Sequence, residues 1–226
     1  MDSENSIFVT GAGVVSPIGI GNESFWAALQ SGKSGVSRDL RLDGVDVPWK
    51  ISARIDDFDG KRYVKPRKAI KVMCREIQFA YAAATFAMEE ATQTSLPEHP
   101  FDHDRLAVVF GAETFQGEPE ELAGAIVKSR QINGQIDTKT WGQAAFQQIQ
   151  PLWMLKYLPN MAASHISIAF DARGPNNTIC QGDVSGLLAA IEGADLIRRG
   201  WVDAAVVGAT SSRISPISMA YRARRV

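Results

Sequence analysis

The sequence predicts one α/β domain over residues 1–226, with a mainly parallel sheet covered by helices on both faces, and three observations carry that reading. Continuous apolar runs, "RLAVVFGAE" (105–113) and "DAAVVGAT" (203–210), have the character of strands buried on both sides. They alternate with segments whose apolar residues recur at helical spacing. A hydrophobic content of 45% over 226 residues is enough to fill a sizeable core.

Taken in order, "SIFVTGAGVV" (6–15) predicts a buried strand ending in a glycine-rich turn. "NESFWAALQSG" predicts a short helix with Asn22 as its N-cap and Gly32 as its stop. Residues 33–68 scatter Gly, Pro and charge and read mostly as loop. "AIKVMCREIQFAYAAATFAMEEA" (69–91) is a helix, because Ile70, Met73, Ile77, Ala80, Ala84, Ala87 and Ala91 alternate spacings of three and four. Residues 114–156 show weak helical patches. "NMAASHISIAF" (160–170) predicts a helix and "NTIC" (177–180) a strand. The next helix, 184–199, has Leu187, Ile191, Ala194 and Ile197 on one face, Arg198 and Arg199 suited to its C-terminal dipole, and Gly200 as its stop.

Composition narrows the function classes. Lys and Arg number 24 against 25 Asp and Glu, so nothing global points to nucleic acid or an anionic membrane. The local basic stretch "KRYVKPRKAIK" (61–71) reads either as a solvated loop and helix start or as a docking site for an acidic partner. No run approaches the roughly 20 apolar residues that span a bilayer, and "MDSENS" lacks the regions of a signal peptide. Cys74 and Cys180 make no disulfide framework, and no Cys/His spacing suggests zinc. A cytoplasmic location without metal or cofactor is the expectation.

The glycine-rich turn "VTGAGVVSPIG" (9–19) could cradle a dinucleotide phosphate. A short-chain oxidoreductase also needs a Tyr with Lys four residues on, whereas Tyr63, Tyr81, Tyr157 and Tyr221 are followed there by Arg67, Thr85, Met161 and Arg225. The NAD(P) reading therefore lacks its catalytic pair.

Five segments, "VTGAGVVSPIG", "MCREIQFAYAAATFAMEEA", "NMAASHISIAFDARGPNNT", "SGLLAAIEGADLIRRG" and "DAAVVGATSSRISP", together resemble the β-ketoacyl-acyl-carrier-protein synthase (ketosynthase) family of the thiolase superfamily. The resemblance runs from about Ile7 to Tyr221 and matches only the family's N-terminal half. It implies the first half of a thiolase-like fold. A ketosynthase resembling this chain would continue through a second half supplying two active-site histidines, a lysine and a Phe-bearing loop. Of the histidines present, His99 and His103 fall in a polar loop and His165 near the expected dimer interface, and all three read as structural.

Family members resembling "GPNNTICQGDVSG" carry the nucleophilic Cys three residues before the Gly of the Ser-Gly pair. Ser185 and Gly186 match that pair, so Asp183 holds the nucleophile position. A thiolate is needed there to hold the acyl chain as a thioester, and helix N-terminal amides make a thiol nucleophilic. A carboxylate would give a mixed anhydride instead, which is uphill and prone to hydrolysis. Asp183 is more simply an N-cap, and as an anion it should repel a malonyl carboxylate. Cys180, three residues upstream, is the alternative nucleophile, against the simpler reading of a small buried hydrophobe. Ser211 stands where the resemblance implies an active-site Glu.

These residues imply a degenerate ketosynthase-like protein of fatty-acid or polyketide-type metabolism, acting as a non-acylating partner of another condensing-enzyme chain. The alternatives are half of a split active 3-oxoacyl-acyl-carrier-protein synthase, and a carrier-protein binding module docking through Lys61, Arg62, Lys65, Arg67 and Lys68. Because the packing half is missing, an uncovered apolar helical face is expected. It implies a homodimer or a heteromer with a ketosynthase-like chain, with "NMAASHISI" and "NTIC" as a symmetric contact.

Overall fold

The computed structural model describes residues 6–44, 46–94, 98–115 and 117–223. The acidic start of the chain, residues 1–5, lies outside them. In chain order the elements are β1 (Val15–Ser16), β2 (Gly19–Ile20), α1 (Asn22–Gln30), β3 (Val36–Arg38), β4 (Ile51–Ala53), α2 (Arg75–Thr92), β5 (Leu106–Ala112), α3 (Pro119–Ser129), α4 (Thr138–Gln148), α5 (Met161–Phe170), β6 (Asn176–Ile179), α6 (Ser185–Arg198), β7 (Ala204–Thr210) and α7 (Pro216–Ala223).

The central sheet is three-stranded and parallel, in the order β6-β5-β7. Leu106 to Ala112 pair residue by residue with Ala204 to Thr210, and Val108 to Gly111 pair with Asn176 to Ile179. Alternate residues of a strand point to opposite faces, and β5 divides its side chains accordingly. Leu106, Val108 and Phe110 join α2 and α5 in the larger core, with Ile77, Ala84, Ile166 and Phe170. Ala107 and Val109 join α6 through Ala189 and Leu196 on the other side. All seven residues of β5 are buried, as the continuous apolar run requires.

Across the strands, Arg105 holds Asp203 through a two-pronged pair, Nε to Oδ2 at 2.7 Å and Nη2 to Oδ1 at 2.6 Å, which fixes where β5 and β7 begin. Residues 119–157 fold back as a helical hairpin. Its Glu121 carboxylate accepts from Trp153 Nε1 and Tyr157 Oη, each at 2.6 Å, and pairs with Lys156. Burial pushes the Glu121 carboxyl up, but these three bonds outweigh it and hold it below its ordinary range.

Four expectations are corrected. The strand expected over 6–15 survives only as the two-residue β1, and Phe8 and Val9 are exposed. An apolar run becomes a strand only when a neighbour takes its backbone hydrogen bonds, and 6–14 joins none of the sheets. Asn22 does not cap α1; Gly21 holds that position, and the Asn22 amide donates to Ala12 O at 2.7 Å and Glu90 Oε2 at 2.8 Å. The helix expected from 69 begins at Arg75, because 67–72 forms a 3-10 turn and Met73 and Cys74 are extended. On α6, the face chosen from sequence is split: Ala189, Gly193 and Leu196 meet the sheet, while Leu187 and Ile191 are 70% and 56% exposed.

A close backbone contact lies between β5 and the start of α6. A methyl group added at Gly111 would sit 2.5 Å from Gly186 N and 2.5 Å from the Ser185 carbonyl carbon, both backbone atoms. Gly111→Ala is therefore expected to lower unfolding stability by about 1–3 kcal/mol, as overpacking does. Urea denaturation of the variant checks this, and an unchanged midpoint would mean α6 rides higher on the sheet than described.

Candidate functional site

In a parallel sheet the carboxyl ends of all strands meet at one edge, where crevices form. Here β5, β6 and β7 bring Glu113, the 182–186 corner and Ser211 to that edge. Gly182 has φ of +60°, a conformation that favours glycine, so the chain can turn sharply between β6 and α6. Ser185, 3% exposed, fastens the turn: its hydroxyl accepts from Gln181 N–H and donates to Gly182 O, both at 2.8 Å.

Asp183 sits in the 3-10 turn Gly182–Val184, just before α6. It does not cap that helix; Val184 holds the N-cap position without a side-chain bond. Instead the Asp183 carboxylate forms an ion pair with the Arg213 guanidinium, the two side chains being 75% and 41% exposed. The expected cap is thus displaced by an ion pair reaching from the loop after β7. An anion with a guanidinium beside it also presents less repulsion to a second carboxylate than a bare one.

Asp183, Ser185, Gly186 and Ser211, singled out separately in the sequence, line one slot of about 270 Å³. Arg213 also lines it and was missed by sequence reasoning, although it is the one basic residue in "DAAVVGATSSRISP". A second chamber of about 700 Å³ shares Asp183 and Arg213 with the slot and adds Trp49, Ile51 and Met219. A third cavity, about 1000 Å³, runs from Ser211–Ser215 past Arg54 and Arg75 to Glu118 and Lys156. Burial, followed by the neighbouring Glu120, Glu76 and Glu121, pushes the Glu118 carboxyl up.

Cys180 follows β6 and is an exposed free thiol rather than a buried hydrophobe. It does not line the slot. His165 is buried in α5, and that burial lowers its basicity. His99 Nε2 lies 2.7 Å from Phe170 O and His103 Nδ1 3.0 Å from Asp171 O, so both imidazoles fasten the end of α5, away from the slot. Among the described residues, no group of three or more His, Cys, Asp or Glu is placed to hold a metal ion. No helix among them is long and apolar enough to cross a membrane. Lys61, Arg62, Lys65, Arg67 and Lys68 are all exposed.

Comparison with known proteins decides the family. The family model described as beta-ketoacyl synthase, N-terminal domain, matches residues 4–225. The chain belongs to the beta-ketoacyl synthase family. It is 30% identical over 219 residues to 3-oxoacyl-[acyl-carrier-protein] synthase 2 of Coxiella burnetii, covering 94% of this chain and 47% of that protein. Over 214 residues it is also 30% identical to a Streptomyces cyaneus protein named as a polyketide beta-ketoacyl synthase 1, covering 95% of this chain and 48% of the other. The chain thus spans about half the length of the curated relatives it matches. Among solved structures, the ishigamide ketosynthase/chain length factor superposes with a TM-score of 0.71 at 23% identity, over 96% of this chain and 55% of that one. The fold is the N-terminal half of the thiolase-like architecture.

Removing the Ser185 hydroxyl leaves the Gln181 N–H without its acceptor in a beta-ketoacyl synthase corner that is otherwise closely bonded. Ser185→Ala is expected to cost about 1–3 kcal/mol and to raise amide hydrogen exchange at 181–184 before the rest of the domain. Uniform exchange across the domain would mean the hydroxyl does not hold the turn.

Proposed function

We propose that this chain is a non-acylating ketosynthase-like subunit of fatty-acid or polyketide-type metabolism, working beside another condensing-enzyme chain. The observation that carries the reading is the Asp183–Arg213 pair at the position where the family resemblance calls for a thiolate. Acyl transfer through a covalent intermediate needs a nucleophile whose adduct is stable enough to wait and reactive enough to leave. A carboxylate engaged by guanidinium is a weak nucleophile, and its adduct would be an anhydride.

The partner reading has its own support. α6 turns Leu187 and Ile191 outward, two large apolar residues one turn apart, on the helix that carries the corner. Among the described residues no strand pairs with the outer edge of β6, and Ile168 of the neighbouring α5 is exposed, so this edge is the contact assigned to a homodimer or heteromer. The ketosynthase/chain length factor named among the structural neighbours fits a two-chain arrangement.

A second reading has one observation in its favour. Relatives named as 3-oxoacyl-[acyl-carrier-protein] synthases match the chain at 30% identity, which fits an active enzyme split over two chains, the second supplying the histidines. The two readings separate when the tagged chain is recovered from its native extract with its bound proteins and offered radiolabelled acyl-carrier protein. The expected outcome is a retained condensing-enzyme chain that becomes labelled while this chain stays unlabelled. Label on this chain, removed by Asp183→Ala or Cys180→Ser, overturns the non-acylating reading in favour of the split enzyme.

The exposed basic stretch is the proposed docking surface for an acyl carrier protein, an acidic partner. Reversing Lys65, Arg67 and Lys68 together to Glu is expected to weaken carrier binding at least ten-fold, and raised salt should weaken wild-type binding in the same direction. Calorimetry at two ionic strengths checks both, and an unchanged affinity removes the stretch from the proposal.

A further inference from the structure

Arg213 lines the slot, the 700 Å³ chamber and the 1000 Å³ cavity alike. Slot and chamber have four lining residues in common: Glu113, Gly182, Asp183 and Arg213. Gly182 contributes only backbone. Glu113 follows the last residue of β5. Arg213, which lines both spaces, reaches from the loop after β7 to the corner before α6, where it pairs with Asp183.

The spaces on either side of it differ in chemistry. The slot is narrow and walled by Gly111, Gly186, Ala209 and short hydroxyl side chains. At about 270 Å³ it falls just below the ~300–1,000 Å³ of typical small-ligand sites. The chamber beyond is faced by Trp49, Ile51, Ile214, Met219 and Tyr221, a wall that suits an unbranched apolar chain.

We propose that Arg213, pinned by Asp183, is a partition between slot and chamber and sets the length of apolar acyl chain the site admits. A short chain fits the slot and leaves the partition closed. A longer one must swing the guanidinium off Asp183 to reach the chamber. Because the pair is largely exposed, breaking it costs little, so the partition discriminates by length rather than excluding outright. The acyl class of the ligand rests on the function proposed above, and the two are tested separately. Capture of a partner without discrimination by length defeats this inference alone.

The test uses the full chain as it purifies, with any co-purifying subunit retained. Butanoyl and dodecanoyl thioesters of N-acetylcysteamine, both uncharged, are titrated into wild type, Arg213→Ala and Asp183→Asn. Quenching of Trp49 is the readout, with Trp49→Phe in each background to identify its share of the signal. The butanoyl thioester reports whatever each substitution does within the slot, and dodecanoyl affinity is read relative to it. Dodecanoyl affinity should rise on the order of five-fold in Arg213→Ala, the factor that corresponds to losing a surface ion pair, and in the same direction in Asp183→Asn. Asp183→Asn keeps the shape of the corner, so it also serves if Arg213→Ala does not fold. Dodecanoyl affinity within two-fold of wild type in either folded variant overturns the partition, as does the absence of binding by both thioesters.

Discussion

Everything at the candidate site depends on α6 resting directly on the backbone of β5. Gly111 removes the side chain that would hold the two apart, Gly186 removes one that would meet Ala209 of β7, and the Ser185 hydroxyl ties the turn between β6 and the helix to itself. That contact delivers residue 183 to the carboxyl edge of the sheet regardless of what the residue is. The corner where the resemblance implies a nucleophile is therefore built independently of the side chain it carries, here a carboxylate. Such a separation is physically reasonable, because the scaffold is held by packing and backbone bonds that make no use of the side chain at 183.

The same arrangement explains how the slot tolerates a carboxylate. Asp183 is largely exposed and so solvated, and Arg213 adds a counter-charge from the loop after β7. The pair couples two loops distant in sequence but adjacent at the sheet edge. Arg105 with Asp203 does the corresponding work at the opposite, amino-terminal edge of the same strands. The three-stranded sheet is thus bracketed by charge at both ends, with its apolar filling between.

The sequence was most legible where one force dominated. β5 and β7 follow from uninterrupted apolar runs, and α5 and α6 ended within two residues of where their patterns placed them. The ketosynthase resemblance brought Asp183, Ser185, Gly186 and Ser211 to one slot. What failed needed information from elsewhere in the chain. The run at 6–15 is as apolar as a strand, but its fate depends on whether a neighbour offers hydrogen bonds. Periodicity put Leu187, Ile191, Ala194 and Ile197 on one face, yet small residues at 189 and 193 are what meet the sheet, because close approach selects for size rather than hydrophobicity. Arg213 escaped notice because the significance of a lone cation is set by what it reaches, and its partner lies 30 positions upstream.

The uncovered flank of α6 has a consequence for how much of this protein a cell can hold. Leu187 and Ile191 face outward from a helix whose Ala189, Gly193 and Leu196 are buried, so the fold can form and still present an adhesive surface. If another chain covers that surface, molecules synthesised in excess of it would become clients of chaperones and targets of proteolysis. Steady-state abundance would then follow the scarcer component rather than this gene's own expression, and the helix would work as a device for keeping the stoichiometry of an assembly.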